Sequence, residues 1–449
     1  MSVFADHDRL LRALARTLNQ RISPSLADPS ARFAAQAAME MLIYLLHRRT
    51  GAGVGPDLPA AQSMAAEIRT LTKGSVDAGA ATRLTQILHE DSRFYRDDDA
   101  AYRARLGEEA AVQSEVFDPP TDAELTAILR GFTDDRGVEA KMTGRAVGGY
   151  SKQTVFFDEL KHGTVARQFV MRRDLPFAAS DRTSVTLEYP VLKALYGRGF
   201  AVAQPFFVEA DPTVLKTPFL VSARVPGRLY GNSLGLMEKV DFDPEALLGK
   251  LLAQLHSIDV DSLAVPELAA HQSGVAEQEA RIDRWIDIYR RDIDVPSAAL
   301  EIGLAWLRAN AHLVADRQAI VHGDVGYHNL LIHEGKASAL VDWELVHVGS
   351  PVEDVAYVSS YIGDLPALIE HYVANGGVRP SEGAMTYCRI FGDVRNSIYG
   401  VVSMRQFNRG DHEDVSVLPI VLSSYSRYIA KLDEELAAVI AANGFRWRE

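Results

Sequence analysis

Asp324, Asn329 and Asp342 are the residues whose types and spacing speak most directly of chemistry. The first two lie in Val321-His322-Gly323-Asp324-Val325-Gly326-Tyr327-His328-Asn329, and the third opens Asp342-Trp343-Glu344. A carboxylate, a carboxamide five positions later and a second carboxylate eighteen after the first suit phosphoryl transfer from a nucleotide. That reaction asks for little covalent help. It needs a carboxylate to orient and deprotonate the attacking hydroxyl, and oxygen ligands for the Mg²⁺ that bridges the phosphates. Mg²⁺ takes few hard oxygen donors from protein and completes its octahedron with phosphate and water. On this reading Asp324 is the base, Asn329 binds the metal through its amide oxygen, and Asp342 is the chief metal ligand.

Some element must bring 324, 329 and 342 together. Residues 329–344 read as a β-hairpin turning at Glu334-Gly335, which folds the metal segment back onto the loop. Upstream, the pattern predicts strands over 141–147, 154–158, 166–172 and 218–224, with Gly148-Gly149-Tyr150-Ser151 between the first two. A helix is expected over 187–196. From 243 onward helices dominate, apart from the hairpin. The first 115 residues show helical spacing only: Leu10, Leu11, Leu14 and Leu18 in one stripe, Phe33, Ala37, Met41 and Leu45 in a second. Further helices are expected over 60–71 and from about 80 onward. Pro119-Pro120 marks a linker over 116–121, because proline disfavours helix on both sides.

HGDVGYHN followed by VDWE resembles the kinase-like aminoglycoside phosphotransferase family, which includes relatives of choline kinase. The resemblance covers about residues 122–449. It implies an α+β chain with a two-lobed protein-kinase-like fold, preceded by an all-α bundle of unknown function. The implied division is a bundle over 1–115, a β-rich lobe over 122–225, and a helical lobe over 226–449 holding the catalytic loop and acceptor site. Gly323 stands where protein kinases place an arginine, and no activation segment of their type follows Asp342, so a small-molecule kinase is favoured.

The resemblance also implies roles for single residues. Gly148, Gly149, Tyr150 and Ser151 would cover the phosphates, glycine allowing close backbone approach; a tight hairpin could need the same glycines. Arg172 falls where the family carries a phosphate-pairing Lys or Arg, with Arg173 the competing choice on the opposite strand face. Glu188 would hold Arg172 in an ion pair. Ser222, Ala223 and Arg224 span the strand whose backbone reads the base of ATP or GTP. His322 is expected to brace the loop rather than act as base, and His328 to shape it. Asp354 would bond the backbone of the catalytic loop.

Glu344 could reach a second ion or the acceptor, or be only a charged neighbour. Trp285, Tyr289, Arg395 and Tyr399 are candidates for the acceptor site, on segments 281–294 and 393–411. Their aromatic and arginine content leans to a hydroxy acid, an acyl-CoA-type acceptor or a hydrophobic alcohol. An amino sugar or amino alcohol is the alternative. A non-catalytic nucleotide-binding scaffold is the reading from another class, and the intact Asp324, Asn329 and Asp342 weigh against it. His256 and Trp343 read as packing residues.

Composition narrows the rest. The chain has 449 residues, one cysteine (Cys388) and a net charge of −13, so it holds no intramolecular disulfide or Cys-rich metal site. The acidic balance argues against a phosphate-driven nucleic-acid binder. No basic segment followed by an apolar run opens the sequence, and no apolar run is long enough to span a bilayer. A cytoplasmic, multidomain enzyme with no membrane or nucleic-acid partner is expected, with self-association through the N-terminal bundle as one option. Residues 226–449 hold 19 basic and 32 acidic side chains, so the whole imbalance lies there. It suits a cationic acceptor or a solvated face.

Overall fold

The computed structural model describes residues 58–73, 76–91, 119–146, 152–175, 184–231, 240–269, 274–293, 296–360, 362–409 and 418–443. The expected phosphate loop (Gly148 to Ser151) and the first two expected helices lie outside these residues. The chain divides into two compact units, and neither follows the order of the sequence. One comprises Glu115–His271 and Arg317–Ser381; the other comprises Met1–Ser114, Gln272–Asp316 and Glu382–Glu449.

The first unit opens with α1 (Asp122–Thr133). Thr121 caps it: its hydroxyl accepts from the Glu124 N–H while the Glu124 carboxylate accepts from the Thr121 N–H. This reciprocal arrangement satisfies two otherwise unpaired donors. Leu125 and Leu129 of α1 then pack against a sheet of β1 (Val138–Arg145), β2 (Lys152–Lys161), β3 (Thr164–Asp174), β4 (Pro205–Glu209) and β5 (Phe219–Ala223). The sheet is antiparallel, in the order β1-β2-β3-β5-β4. Phe157, Phe169, Met171, Phe219 and Val221 fill its core beside α1. Each fully buried side chain of this size contributes roughly 1.5–3 kcal/mol. Strand β4 has no expected counterpart; its five residues start at a proline and are too short for alternation to show.

Between β3 and β4 runs α2 (Val185–Gly197). Its N-cap Ser184 donates to Asp174 Oδ2, and the Val185 N–H donates to Asp174 Oδ1. The buried end of β3 thereby fixes where α2 begins. After β5 come α3 (Pro244–His256), β6 (Ala319–Val321), β7 (Leu330–His333), β8 (Lys336–Leu340), β9 (His347–Gly349), α4 (Val352–Val358) and α5 (Leu365–Ala374). Strands β7 and β8 form the expected hairpin. Glu334 and Gly335 both have positive φ, 50° and 71°, as a two-residue type I′ turn requires. Strand β6 pairs with β9 and places the chemistry-bearing loop between β6 and β7.

The second unit is helical in its described residues. Ala298–Ala309 is buried on nearly every face, as befits an interior helix. Helix Leu58–Leu71 packs on it, and Arg69 pairs with Glu301 at 2.9 Å. Residues 78–91 form another helix, whose Asp91 accepts from the Ala298 N–H at 2.7 Å. The N-terminal helices therefore share a core with the late helices Glu382–Arg409 and Leu418–Asn443. This differs from the expected division into a bundle over 1–115 and a helical lobe over 226–449. Segment 226–449 contributes to both units, because its apolar faces are buried by partners far apart in sequence.

Candidate active site

Asp324 is anchored by its neighbours before any ligand is considered. Its loop is held from below by Asp354 on α4, which is fully buried. Asp354 accepts from the His322 N–H and the Gly323 N–H, each at 2.9 Å, and lies 3.2 Å from His256 Nε2. Burial pushes against the charge of Asp354, but His256 and the ring and amide of His322 outweigh it and its pKa falls. His256 is interior as expected, though it bridges Asp354 to Tyr372 rather than merely packing. Gly323 sits at φ 84°, in the left-handed region where a side chain is strained.

His322 uses both ring nitrogens within the protein. Nδ1 accepts from the Asp324 N–H at 3.2 Å, so Nε2 carries the proton and donates to the Val341 carbonyl at 3.0 Å. Burial lowers its pKa against the pull of Asp354 and Asp324. A neutral histidine so engaged braces the loop against the segment that carries Asp342. Its ring also stands edge-on to the buried Trp343.

The Asp324 carboxylate is gripped at both oxygens. Tyr357 donates its hydroxyl to Oδ1, and His328 Nε2 lies 3.3 Å from the same atom. Asn329 Nδ2 donates to Oδ2 at 2.9 Å. Burial alone would raise the pKa of Asp324. The contacts with His328 and Tyr357 overcome it and hold the group at about 2. Asp324 is thus an ionised acceptor fixed in direction. Tyr357 had no signal in the sequence: it lies 33 residues downstream, and only α4 brings it back.

Asn329 and Asp342 come together through the hairpin. The Asn329 carbonyl accepts from the Val341 N–H at 2.8 Å, which sets Asp342 one residue beyond that bond. Asn329 spends its amide N–H groups on Asp324, which leaves its Oδ1 as the atom suited to a metal. Asp342 adopts φ 69°, ψ 63°, a left-handed conformation that Asp tolerates better than most residues. One amide oxygen and one carboxylate fit Mg²⁺, which needs few protein ligands. Among the described residues no group of three His, Cys, Asp or Glu side chains could hold a metal.

Arg172 on β3 points toward this segment. It donates to Glu188 on α2 at 2.7 Å and to Asp342. Burial disfavours its charge, but Glu188, Asp342 and Glu344 more than compensate and raise its pKa. Burial also raises Glu188, to about 7, against Arg172 and Lys152. Arg173 is on the other face of β3, buried, with Nη2 donating to Gln153 at 2.6 Å. The expected Arg172–Glu188 pair is therefore present, and the competing Arg173 is committed elsewhere.

The backbone of the 222–224 segment is largely engaged within the sheet. The Ala223 N–H donates to the Gln204 carbonyl at 2.9 Å and the Arg224 N–H to the Gln168 carbonyl at 3.0 Å. Both amides are engaged in the sheet, and the Arg224 guanidinium lies over the Phe156 ring. Ser222 is paired with Val170 and Pro205 in the ladder. Glu344 lies 3.2 Å from Lys152, a buried lysine that the sequence did not single out.

The acceptor candidates belong to the helical unit. Trp285 meets Tyr399 edge-on at 5.2 Å and Phe391 at 6.2 Å. Tyr289 is buried and its oxygen accepts from the Ser297 N–H; burial pushes its pKa up. Arg395 is buried and donates to Asn396. Cys388 is buried, as expected of a structural thiol.

Comparison with known proteins places the chain. The profile of the phosphotransferase enzyme family matches residues 143–387. Acyl-CoA dehydrogenase family member 11 of Mus musculus is 29% identical over 246 residues, covering 54% of this chain and 30% of that protein. The chain thus spans under a third of that relative. Viomycin phosphotransferase of Streptomyces vinaceus is 29% identical over 246 residues, 53% of this chain and 80% of that protein. The crystal structure of a Ralstonia eutropha protein assigned as an aminoglycoside phosphotransferase aligns with a TM-score of 0.54 at 22% identity. It covers 71% of this chain and 98% of that one, which shows the kinase-like fold. No described helix is long and apolar enough to cross a membrane. The chain belongs to the phosphotransferase enzyme family.

Proposed function

We propose that the protein transfers the terminal phosphoryl group of ATP or GTP directly to a small-molecule hydroxyl, with Asp324 as base. The observation that carries this reading is the Asp324 carboxylate, ionised and held by Tyr357, His328 and Asn329. A base so depressed is a weak proton acceptor in the ground state. Its first task is to orient the acceptor hydroxyl in line with the phosphorus, and it takes the proton as the oxygen–phosphorus bond forms. Asn329 and Asp342 would hold Mg²⁺, which when bound neutralises charge on the phosphates. Arg172 would grip the donor phosphates, kept extended by Glu188. Gly148, Gly149, Tyr150 and Ser151 would cover them, and the 222–224 segment would line the base.

For the acceptor we favour a hydroxy acid, an acyl-CoA-type hydroxyl compound or a hydrophobic alcohol. Trp285 and Tyr399 form an aromatic pair, and a 29% identical relative carries an acyl-CoA dehydrogenase name. An amino-sugar acceptor is the second reading, supported by the acidic excess after residue 226 and by the viomycin phosphotransferase relative. Incubation with nucleotide and pooled hydroxyacyl thioesters, hydroxy acids and amino sugars, read by mass spectrometry, separates them. A phosphate adduct only on amino sugars would overturn the preferred acceptor. Nucleotide binding without any adduct would favour a non-catalytic role. Asp324→Asn should keep nucleotide binding and lose transfer.

A further inference from the structure

Strand register places a second cation beside Arg172. Lys152 lies opposite Asp174, and Thr154 opposite Arg172, in the β2–β3 ladder. Residues two apart on a strand share a face, and cross-strand partners share it too. Lys152, Arg172 and Asp174 therefore project from one side of the sheet, while Gln153 and Arg173 bond each other on the other. Lys152 is 2% exposed and immediately follows the Gly148–Ser151 segment in sequence. Its Nζ lies 3.2 Å from Glu344 and 3.5 Å from Asp174. Arg172 meanwhile reaches Asp342. Two cations of one sheet face thus each hold one carboxylate of Asp342-Trp343-Glu344.

Among the described residues, the charge balance of this cluster is uneven. Lys152 and Arg172 face four carboxylates: Asp174, Glu188, Asp342 and Glu344. Glu188 feels the excess, since Asp342 and Glu344 both add to the rise that burial causes in its pKa. Its Oε1 is buried without a hydrogen-bond partner. A divalent cation arriving at Asp342 would compete directly with the Arg172 contact, and one reaching Glu344 with the Lys152 contact. Cations released from carboxylates in that position have phosphate oxygens as their next partners.

We propose that Lys152 is a second phosphate-gripping residue of the nucleotide site, parked on Glu344 until metal and nucleotide arrive. This rests on the nucleotide-dependent reading above. Lysine suits the task because its ammonium is a compact point charge on a flexible stem, complementing the planar fork of Arg172.

The test is calorimetric titration of the full-length protein with three ligands: the Mg²⁺ complex of a non-hydrolysable nucleoside triphosphate analogue, the same analogue with EDTA, and the bare nucleoside. Adenine and guanine forms are both tried. Lys152→Met should weaken the triphosphate about ten- to a hundredfold and leave the nucleoside affinity unchanged; Lys152→Arg should recover part of the loss. Equal weakening of triphosphate and nucleoside would overturn the proposal, since it would mark a structural ion pair. Unchanged affinity for both would overturn it too. If Lys152→Met fails to fold, Glu344→Gln decides. Releasing Lys152 should tighten the metal-free triphosphate, and unchanged or weaker binding would count against the role. Wild type that binds no nucleotide in any form would sink the nucleotide reading and this inference together. Wild-type binding with an indifferent Lys152 would sink this inference alone.

Discussion

Tyr357 donates its phenolic hydrogen to Oδ1 of Asp324, across 33 residues of sequence. The contact joins α4 to the loop between β6 and β7, and it fixes which way the Asp324 carboxylate faces. Its loss should therefore touch turnover more than binding. Tyr357→Phe keeps the ring and removes one bond to a charged group, worth about 1.5–3 kcal/mol. We expect kcat to fall by about ten- to a hundredfold, with the KM for nucleotide close to wild type. Steady-state kinetics on the acceptor found by mass spectrometry would check this. A kcat within twofold of wild type would refute the positioning role.

Asp354 should matter first to stability. Its carboxylate accepts two backbone N–H groups of the loop between β6 and β7 and meets His256, all out of reach of water. Asp354→Ala leaves those donors without an acceptor, at about 1–3 kcal/mol for each buried group. Asp354→Asn keeps one oxygen and should lose less. Thermal unfolding by circular dichroism should rank wild type above Asn above Ala; equal melting temperatures would contradict the structure.

The helical unit offers a pH test. Asp91 is raised from 3.8 to about 6, chiefly by burial and despite its bonds to Ala298 and Ser297. The folded state therefore holds this proton more tightly than the unfolded chain does. No penalty exists below pH 3.8. It grows as pH rises from about 3.8 and levels off above about 6, at no more than about 3 kcal/mol. Asp91→Asn cannot ionise and can still accept from the Ala298 N–H. Its stability relative to wild type should rise between pH 4 and pH 7, in urea unfolding at each pH. A difference independent of pH would argue that Asp91 is solvated.

Gly249 marks the crossing of α3 and α5. A Cβ there would lie 2.8 Å from the Leu368 carbonyl oxygen and 2.9 Å from the His371 Cβ. Gly249→Ala must push the helices apart, an overpacking cost of about 1–3 kcal/mol. The gain in helix propensity, up to about 1 kcal/mol, offsets only part of it. We expect a lower melting temperature; a variant more stable than wild type would show that the helices separate without cost.

The proximity of the candidate site residues was partly legible because it is local. Asp324, Asn329 and Asp342 sit on one loop and one hairpin, and Glu334-Gly335 announces the turn that joins them. Arg172 and Glu188 were also readable, as a strand position and a position on the following helix. The opposite fate of Arg173 follows from alternation along β3. The tertiary structure decided what depends on contacts between distant segments. Tyr357 reaches Asp324 only because Asp354 docks α4 under the loop. Lys152 meets Glu344 across 192 residues, through a strand register that no local pattern announces. That the amides of Ala223 and Arg224 are engaged by Gln204 and Gln168 is likewise a matter of strand pairing. The N-terminal helices looked like a separate bundle, yet Asp91 and Arg69 tie them to Ala298 and Glu301. Periodicity tells which face of a helix is apolar; which distant segment covers that face is set by packing alone.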